Sequence, residues 1–270
     1  MNRCDICIEP DCTKAMYHCD TCSNFKQCPK FLHPTIRITT ICTQQCAHCC
    51  FSCSPTSEKM MTVETAEIIA KFLKTNGILS LNVMGGEFFC NPDWYPIIGH
   101  LLSTESVLRL VSNADWYDDD VVKDKLAKLS AESKGRLYLS LSCDRWHTNA
   151  GVKSAAKYLK AHNIPYTVED KEQASEAGIV PIGRSESSCG IYSMLACYCH
   201  NPQNQYSFMI DEGGVIYKCP FGILDYANVI DYVDGGFNVK FKDFNRKFYS
   251  IFIPSCSSCI RMAEIRKAHS

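Results

Sequence analysis

The sequence lacks an excess of charge of either sign. It contains 28 Lys and Arg against 29 Asp and Glu, so its formal net charge at pH 7 is −1. Its basic residues do not gather into a block, whereas a nucleic-acid-binding protein usually carries a basic patch or stripe. We therefore do not expect nucleic acid as a partner.

The sequence also lacks long hydrophobic runs. No run is long enough to span a bilayer, and the first five residues, Met1-Asn2-Arg3-Cys4-Asp5, contain no apolar core of a secretory signal. We therefore predict a cytoplasmic protein without a membrane partner. With 270 residues, 46% of them hydrophobic, the chain can bury the core of one large domain plus a small appendage.

Cysteine is present in excess, with nineteen residues in the chain. A secreted disulfide scaffold would be shorter and would begin with a signal sequence. The cysteines are also clustered: six precede residue 30, five lie between 42 and 53, and six lie between 189 and 259. Clustering at short spacings favours metal sites over scattered buried thiols.

Residues 1–34 carry the first cluster of cysteines. The segment has little apolar periodicity but two C-x2-C pairs, Cys4/Cys7 and Cys19/Cys22, a spacing that suits zinc or iron–sulfur. Since such a segment has no core to fold around, a bound metal would stabilise it. We predict that this segment binds metal, and the sequence does not choose between zinc and a further iron–sulfur cluster. The alternative is a reduced, partly ordered thiol-rich tail.

The second cluster of cysteines follows a strand-like run at residues 35–40. Cys42, Cys46 and Cys49 stand at C-x3-C-x2-C spacing on one short loop. An iron–sulfur cluster normally takes four cysteines, so three on one loop could hold three corners of a [4Fe–4S] cluster and leave the fourth iron open. A zinc knuckle is the alternative. Cys50 and Cys53 fall outside this spacing and receive no role.

From residue 35 onward, strand and helix patterns alternate. The predicted strands are 36–40, 79–83, 107–111, 137–142, 166–168 and 179–182, and the predicted helices are 63–75, 92–102, 118–129, 152–161 and 169–176. This alternation predicts an α/β fold with a parallel sheet. Six units suit a partial (β/α)6 TIM-like barrel over residues 35–184, with its site at the carboxyl ends of the strands.

Residues 185–270 have a different pattern and are predicted to form a third, smaller domain. Two short strands, 206–210 and 215–217, flank Asp211-Glu212-Gly213-Gly214, which predicts a β-hairpin with a Gly-rich turn. Cys219 follows the hairpin directly, and Cys256-Ser257-Ser258-Cys259 stands near the end of the chain.

The C-x3-C-x2-C loop, together with Gly85-Gly86-Glu87 at the end of the second predicted strand, resembles the radical S-adenosylmethionine (SAM) superfamily. The resemblance implies that Cys42, Cys46 and Cys49 hold a [4Fe–4S] cluster whose open iron binds SAM. It also implies a SAM-binding role for Gly85, Gly86 and Glu87, where Glu87 pairs with the SAM amino group, and places His48 beside the adenine. Phe88 replaces the proline that usually follows the motif.

Weaker matches occur at the ends of later predicted strands. The resemblance implies cofactor binding by Ser112 and Asn113 at the third strand, by Ser142 and Asp144 near the ribose, and by Pro181 near the adenine. Ordinary polar or turn residues at strand ends are the alternative. No residue is identified as the catalytic base; Asp144, His147 and Arg184 are candidates by position only.

The C-terminal cysteines resemble the SPASM/Twitch type of auxiliary-cluster domain. Cys199 and Cys219, with Gly214 between them, match the opening of that pattern, and Cys256 and Cys259 would complete four ligands. The resemblance implies one auxiliary [4Fe–4S] cluster. Cys197 competes with Cys199 for the first position, and a zinc ribbon is the alternative.

The resemblance implies a radical SAM enzyme. Such an enzyme cleaves SAM reductively to a 5′-deoxyadenosyl radical, which abstracts hydrogen from the substrate. Oxidation or cross-linking of a peptide side chain and oxidation of a small carbinol both fit, with flavodoxin or ferredoxin as the electron donor. The competing hypothesis is a non-enzymatic cysteine-rich zinc or redox module, which would not explain the polar motifs at successive strand ends.

Overall fold

The computed structural model describes residues 34–75, 78–170, 184, 208–217 and 225–228. Within them lie four α-helices: α1 (Val63–Thr75), α2 (Trp94–Leu102), α3 (Asp120–Ser133) and α4 (Val152–Ala161). The strands are β1 (Thr35–Arg37), β2 (Ser80–Met84), β3 (Val107–Ser112), β4 (Leu137–Cys143), β5 (Tyr166–Asp170), β6 (Met209–Ile210), β7 (Val215–Tyr217) and β8 (Asp225–Asn228).

All described strands belong to one sheet, in the order β5-β4-β3-β2-β1-β6-β7-β8. Strands β1 to β5 are parallel and neighbour each other in chain order, and β6 lies parallel to β1 on its other side. Strands β7 and β8 then run antiparallel. The prediction of a partial α/β barrel is confirmed, and the described part of the sheet is open. The carboxyl ends of β1 to β5 meet at one edge, which we call the carboxyl edge.

The helices begin and end where local chemistry supports them. Thr62 precedes α1 and its hydroxyl accepts a hydrogen bond from the backbone N–H of Thr65 at 3.2 Å. The Asp119 carboxylate caps α3 in the same way, accepting from the first N–H groups of that helix. Their apolar faces pack on the sheet, whose buried positions include Ile36, Leu81 and Leu110. No helix in the described part of the chain is long and apolar enough to cross a membrane.

Strand β1 is shorter than predicted. It ends at Arg37 rather than near Thr40, because the chain then pairs with the segment that precedes α1. The Thr40 N–H donates to the Lys59 carbonyl at 2.9 Å, and the Met61 N–H donates to the Ile38 carbonyl at 2.9 Å. The chain also stays bonded to the residues after β2, since Thr39 and Ile41 accept from the N–H groups of Gly86 and Glu87, and it then enters the cysteine loop.

Strand β5 is longer than predicted, so the helix predicted from Glu169 is wrong at its start. Glu169 and Asp170 are strand residues, and Glu169 lies opposite Ser142 of β4. The Glu169 carboxylate accepts a hydrogen bond from the Ser140 hydroxyl at 2.7 Å and pairs with Arg109. These cross-strand contacts outweigh the local helical pattern. The rest of that predicted helix, and the predicted strand 179–182, lie outside the described residues.

The predicted hairpin forms between β6 and β7. Its turn is held by the Asp211 carboxylate, which accepts from the N–H groups of Gly213 at 3.0 Å and Val215 at 2.9 Å. Because β6 pairs with β1, the hairpin continues the barrel sheet. The predicted domain limits after residues 34 and 184 stay predictions.

Candidate active site

Residues 42–49, which we call the cluster loop, lie at the carboxyl edge of the sheet. The Cys46 side chain is buried, and those of Cys42 and Cys49 are half-buried. Turns fold the loop back on itself, since the Cys49 N–H donates to the Cys46 carbonyl at 3.2 Å and the Gln44 N–H approaches the Cys42 sulfur at 3.5 Å. The three predicted ligands therefore share one compact loop.

The electrostatics of the cluster loop suit a cation. Burial raises the pKa of the Cys42 thiol to about 12, and the negative charges of Glu87, Cys46 and Cys49 act in the same direction. Thiolates this close together need a positive partner, and a thiolate is the form that binds metal. The donor set therefore fits an iron–sulfur cluster.

One side of the cluster loop is bound to the ends of β3 and β4. The Gln44 amide donates to the Asp115 carboxylate at 2.9 Å and to the Thr148 hydroxyl at 3.0 Å, and it accepts from the Thr148 N–H at 3.2 Å. The Thr43 hydroxyl also donates to Asp115, at 2.5 Å. Sequence reasoning missed these residues. Asp115 and Thr148 could have been found, since both follow predicted strands at the edge where polar residues gather.

Arg184 holds the other side of the cluster loop. Its backbone N–H donates to the Cys49 carbonyl at 3.1 Å, and its guanidinium donates to the carbonyls of Cys46, at 2.9 Å, and of Cys53. The sequence placed Arg184 among the catalytic candidates. In the structure its described hydrogen bonds go to the loop backbone.

Cys53, which had no predicted role, is buried against the cluster loop. A hydrogen bond between the Cys53 and Cys49 side chains, with the charge of Arg184, outweighs burial and lowers the pKa of Cys49 to about 6. The same contact raises the pKa of Cys53. The structure therefore holds Cys49 as the more acidic thiol of the pair.

Gly85 and Gly86 pack against the chain that enters the cluster loop. The Gly86 N–H donates to the Thr39 carbonyl and the Glu87 N–H to the Ile41 carbonyl, both at 2.9 Å. A Cβ at Gly86 would overlap the Ile41 carbonyl, and Gly85 has a φ of +147° that side chains disfavour. Both glycines therefore let the end of β2 contact the loop backbone directly.

Glu87 is fully buried behind the cluster loop. Its Oε2 accepts a hydrogen bond from the Asn113 N–H at 2.7 Å, whereas its Oε1 has no partner among the described residues. Burial raises the pKa of Glu87 to about 8. A buried carboxylate oxygen without a partner is costly, and a cationic ligand group would satisfy it. Glu87 therefore fits the amino group of SAM.

Asn113 and Ser112, at the end of β3, have different roles. The Asn113 amide donates to the Thr43 hydroxyl at 3.0 Å and approaches the Cys42 sulfur at 3.8 Å, so it joins β3 to the cluster loop. The Ser112 hydroxyl accepts from the N–H groups of Ala114 at 2.9 Å and Trp116 at 3.0 Å, so it holds the turn after β3. Ala114, in the same turn, has a φ of +67°.

Polar and aromatic side chains line the end of β4. The buried Asp144 carboxylate lies 2.7 Å from His147 Nδ1. Despite burial, this contact lowers the pKa of Asp144 to about 2 and, with a hydrogen bond to the Cys46 side chain, raises the pKa of His147 to about 10. The His48 ring lies 5.0 Å from the rings of Trp146 and His147.

Ligand atoms of His48, Asp144 and His147 lie within 4.8 Å of one another, a set that could hold a metal ion. Asp144 and His147 already bond each other, however. Ser142, the remaining predicted residue of this strand, is half-buried two positions before Asp144.

The other predicted site residues lie outside the described residues, so their roles stay predictions. They are Pro181, Cys197, Cys199, Cys219, Cys256 and Cys259 in the C-terminal half, and Cys4, Cys7, Cys19 and Cys22 at the N-terminus.

Two curated proteins of Bacillus subtilis are similar to part of this chain. The antilisterial bacteriocin subtilosin biosynthesis protein AlbA is 25% identical over 131 residues, which are 48% of this chain and 28% of AlbA. The putative peptide biosynthesis protein YydG is 28% identical over 136 residues, 49% of this chain and 42% of YydG. The matched part of this chain therefore spans less than half of either relative.

Solved structures share the fold, and a family model identifies the family. BtrN in complex with AdoMet and 2-DOIA aligns with a TM-score of 0.52 at 13% identity, covering 80% of this chain and 86% of BtrN. The protein anSMEcpe with bound AdoMet aligns with a TM-score of 0.53 at 14% identity, covering 84% of this chain and 86% of anSMEcpe. At these identities the likeness shows the fold. The Radical SAM superfamily model matches residues 36–173, just over half of the chain, and this chain belongs to that superfamily.

Proposed function

We propose that this enzyme cleaves SAM reductively at a [4Fe–4S] cluster held by Cys42, Cys46 and Cys49, and that it oxidises or cross-links a peptide side chain. The observation that carries the proposal is the buried Oε1 of Glu87, which has no hydrogen-bond partner among the described residues and lies near the Cys42 thiol. When bound, the cluster and SAM together supply a radical that abstracts hydrogen from carbon.

The side chains around the cluster loop have separate tasks in this proposal. Glu87, which holds a proton at neutral pH because its pKa is about 8, would release that proton to solvent on binding of SAM and pair as a carboxylate with the SAM ammonium group. Asn113 keeps that carboxylate in place through its N–H. His48 and Trp146 offer ring faces for the adenine, and Asp144 supplies an acceptor near the ribose.

A peptide is the substrate class that the relatives favour. AlbA and YydG are both named as proteins of peptide or bacteriocin biosynthesis, and anSMEcpe has been solved with AdoMet and a peptide. The alternative of a non-enzymatic zinc or redox module does not account for membership of this superfamily.

The remaining cysteines extend the proposal. An auxiliary cluster on Cys199, Cys219, Cys256 and Cys259 would accept the second electron of the oxidation or help to hold the substrate. The N-terminal cysteines would bind zinc or a further cluster. Flavodoxin or ferredoxin would supply the electron that starts the reaction.

Anaerobic reconstitution with iron and sulfide tests the proposal. The reconstituted wild type, reduced in the presence of SAM, is expected to release 5′-deoxyadenosine. Cys42→Ala should abolish this release, because one corner of the cluster loses its ligand, while iron at the auxiliary site remains. Cys143→Ala, at the end of β4, is the control and should keep the iron content of the wild type.

Two results would count against the proposal. Iron and sulfide contents well below about four per chain would rule out the proposed cluster, because one [4Fe–4S] group needs that many of each. Reduced, iron-loaded protein that forms no 5′-deoxyadenosine would rule out the proposed reaction. Complete loss of iron in Cys42→Ala would contradict two independent cluster sites.

A further inference from the structure

The cluster loop is held by an arginine that is distant in the sequence. Arg184 donates three hydrogen bonds to backbone carbonyls in the loop and just after it: from its backbone N–H to Cys49, and from its guanidinium to Cys46 and to Cys53, four residues beyond the loop. Cys46 and Arg184 are 138 positions apart. Two of the three carbonyls belong to predicted cluster ligands, so the contact acts on the geometry of the site itself.

The same carbonyls define the turns of the loop. The Cys46 carbonyl also accepts from the Cys49 N–H, and the Cys49 carbonyl accepts from the Ser52 N–H, both at 3.2 Å. A guanidinium is planar and presents its donors in a fixed fork. Arg184 therefore fixes two successive turns relative to each other, which a flexible or neutral side chain could not do equally well.

Arg184 also brings a permanent positive charge to the loop. A guanidinium stays protonated and has no acceptor, so Arg184 cannot serve as the general base for which its position made it a candidate. The Asp115 carboxylate contacts a different part of the loop, where it accepts from the Gln44 amide at 2.9 Å. A positive charge beside an iron–sulfur cluster favours the added electron, because net charge is one of the factors that set its potential.

We propose that Arg184 is a positioning residue, which holds the cluster loop in its ligating conformation and favours reduction of the bound cluster. The inference rests on the function proposed above. It assigns Arg184 no contact with the substrate and no part in proton transfer.

Two substitutions separate the hydrogen bonds from the charge. Arg184→Met keeps the length of the side chain but removes both the donors and the charge, whereas Arg184→Lys keeps the charge and one donor group. Arg136→Met is the matched control, since Arg136 also donates to two backbone carbonyls, of Leu102 at 2.8 Å and Ser106 at 3.2 Å, away from the cluster loop. Thermal unfolding checks that each variant folds.

Hydrogen exchange of the cluster-free protein measures the positioning role. The amides of Cys49 and Ser52 should exchange about tenfold faster in Arg184→Met than in the wild type, because the turns that protect them lose their anchor. Arg184→Lys should give an intermediate rate. Arg136→Met should leave these two amides unchanged.

A redox titration followed by electron paramagnetic resonance measures the effect of the charge. The signal to follow is the one that shifts when SAM is added, since this shift separates the SAM-binding cluster from any auxiliary one. Its midpoint potential should fall in Arg184→Met and stay near the wild-type value in Arg184→Lys. Arg136→Met should leave it unchanged.

The outcomes decide each half of the proposal. Wild-type exchange in Arg184→Met would overturn the positioning role, and an unchanged potential would overturn the electrostatic role. If the wild type binds no iron, the proposed function fails, yet the exchange comparison still decides the positioning role because it needs no cluster. If Arg184→Met does not fold, Arg184→Gln, which removes the charge but keeps an amide donor, carries the potential measurement, and an unchanged potential in it would overturn the electrostatic role. Arg184→Lys then carries the exchange measurement, and wild-type exchange in that variant would count against the need for a fork of donors.

Discussion

Glu87 keeps a carboxyl group where water does not reach it. Burial raises its pKa to about 8, and the charge of Asp115 adds to this effect, while the Asn113 N–H opposes it. In the ligand-free protein at neutral pH, Glu87 therefore holds a proton. In the unfolded chain the same group ionises with a pKa near 4.5, the ordinary value for a glutamate side chain.

Glu87→Gln is expected to remove a pH dependence of stability. Between about pH 4.5 and 8 the unfolded wild type releases this proton and the folded wild type keeps it, so the free energy of unfolding falls as pH rises. This loss of stability is complete above pH 8, since the pKa of Glu87 in the folded protein is about 8. It amounts to a few kcal/mol, because one pKa unit is worth about 1.4 kcal/mol. Denaturant unfolding of the cluster-free, reduced protein across this range measures it.

The measured quantity is the difference in the free energy of unfolding between Glu87→Gln and the wild type at each pH. Other groups titrate in both proteins, so their effects cancel in this difference. Glutamine has the shape of the protonated acid and can still accept from the Asn113 N–H, so the variant should fold normally. The stability of Glu87→Gln relative to the wild type should increase from about pH 5 to about pH 8. Parallel stability curves would mean that Glu87 is ionised in the folded protein.

At the scale of the secondary structure elements, the end of β2 and the entry to the cluster loop form one unit. Their backbones meet through the hydrogen bonds from Gly86 to Thr39 and from Glu87 to Ile41, both at 2.9 Å. This contact requires a residue without a side chain at Gly86, because a Cβ there would overlap the Ile41 carbonyl. The Gly-Gly pair thus positions the loop as well as the carboxylate that follows it.

Gly86→Ala is expected to destabilise the protein by about 2 to 3 kcal/mol, because the backbone that it would strike cannot move aside easily. Less iron should bind after reconstitution, since the loop entry is displaced. Equilibrium unfolding and iron analysis measure the two effects.

Gly99→Ala is the matched control, because Gly99 lies within α2 and a Cβ there would meet nothing within 4 Å. This substitution should stabilise the protein by about 0.5 to 1 kcal/mol, the usual gain from alanine inside a helix. If both variants changed stability by the same amount, the close contact at Gly86 would have no special role.

The sequence predicted the elements better than their contacts. Local periodicity and strand-end motifs correctly located β2, β3, β4 and the four helices, since these signals lie within a few residues of each other. The partners of the cluster loop are different: Gln44 and Thr148 are 104 positions apart, and Cys46 and Arg184 are 138 apart. No local pattern encodes such pairs. A position after a predicted strand marks Asp115 and Thr148 as site residues, but the sequence does not show that they, or Arg184, contact the loop.

At the scale of the whole molecule, the β6–β7 hairpin is joined to the first strand of the barrel by a buried ion pair. Arg37 Nε lies 2.8 Å from Glu212 Oε2, and its guanidinium lies 3.7 Å from Asp211. The side chains of Arg37 and Glu212 are only 11% and 7% exposed. Strand β6 has two residues, so its ladder with β1 provides few hydrogen bonds and the ion pair carries much of the attachment.

Arg37→Met is expected to destabilise the protein by about 3 to 5 kcal/mol, because the buried carboxylates of Asp211 and Glu212 lose the guanidinium and only the exposed Lys59 ammonium, 4.0 Å from Glu212, remains. The amides of Asp211 and Gly214, which bond within the turn, should also exchange faster as the hairpin detaches. Equilibrium unfolding and hydrogen exchange of the cluster-free protein measure both effects. Adding Glu212→Gln to Arg37→Met should recover part of the loss, since it removes one of the uncompensated charges.

Lys71→Met tests whether the large loss of stability expected for Arg37→Met comes from the burial of the ion pair rather than from the loss of an ion pair alone. Lys71 pairs with Glu67 on α1 at 3.0 Å, but both side chains are more than half exposed. Water screens such a pair, so its loss should cost less than about 1 kcal/mol. If Arg37→Met cost no more than Lys71→Met, the hairpin would be held by its strand ladder. A large cost confined to Arg37→Met, with faster exchange of the turn amides, would make this ion pair the link between the C-terminal hairpin and the edge of the sheet that carries the cluster loop.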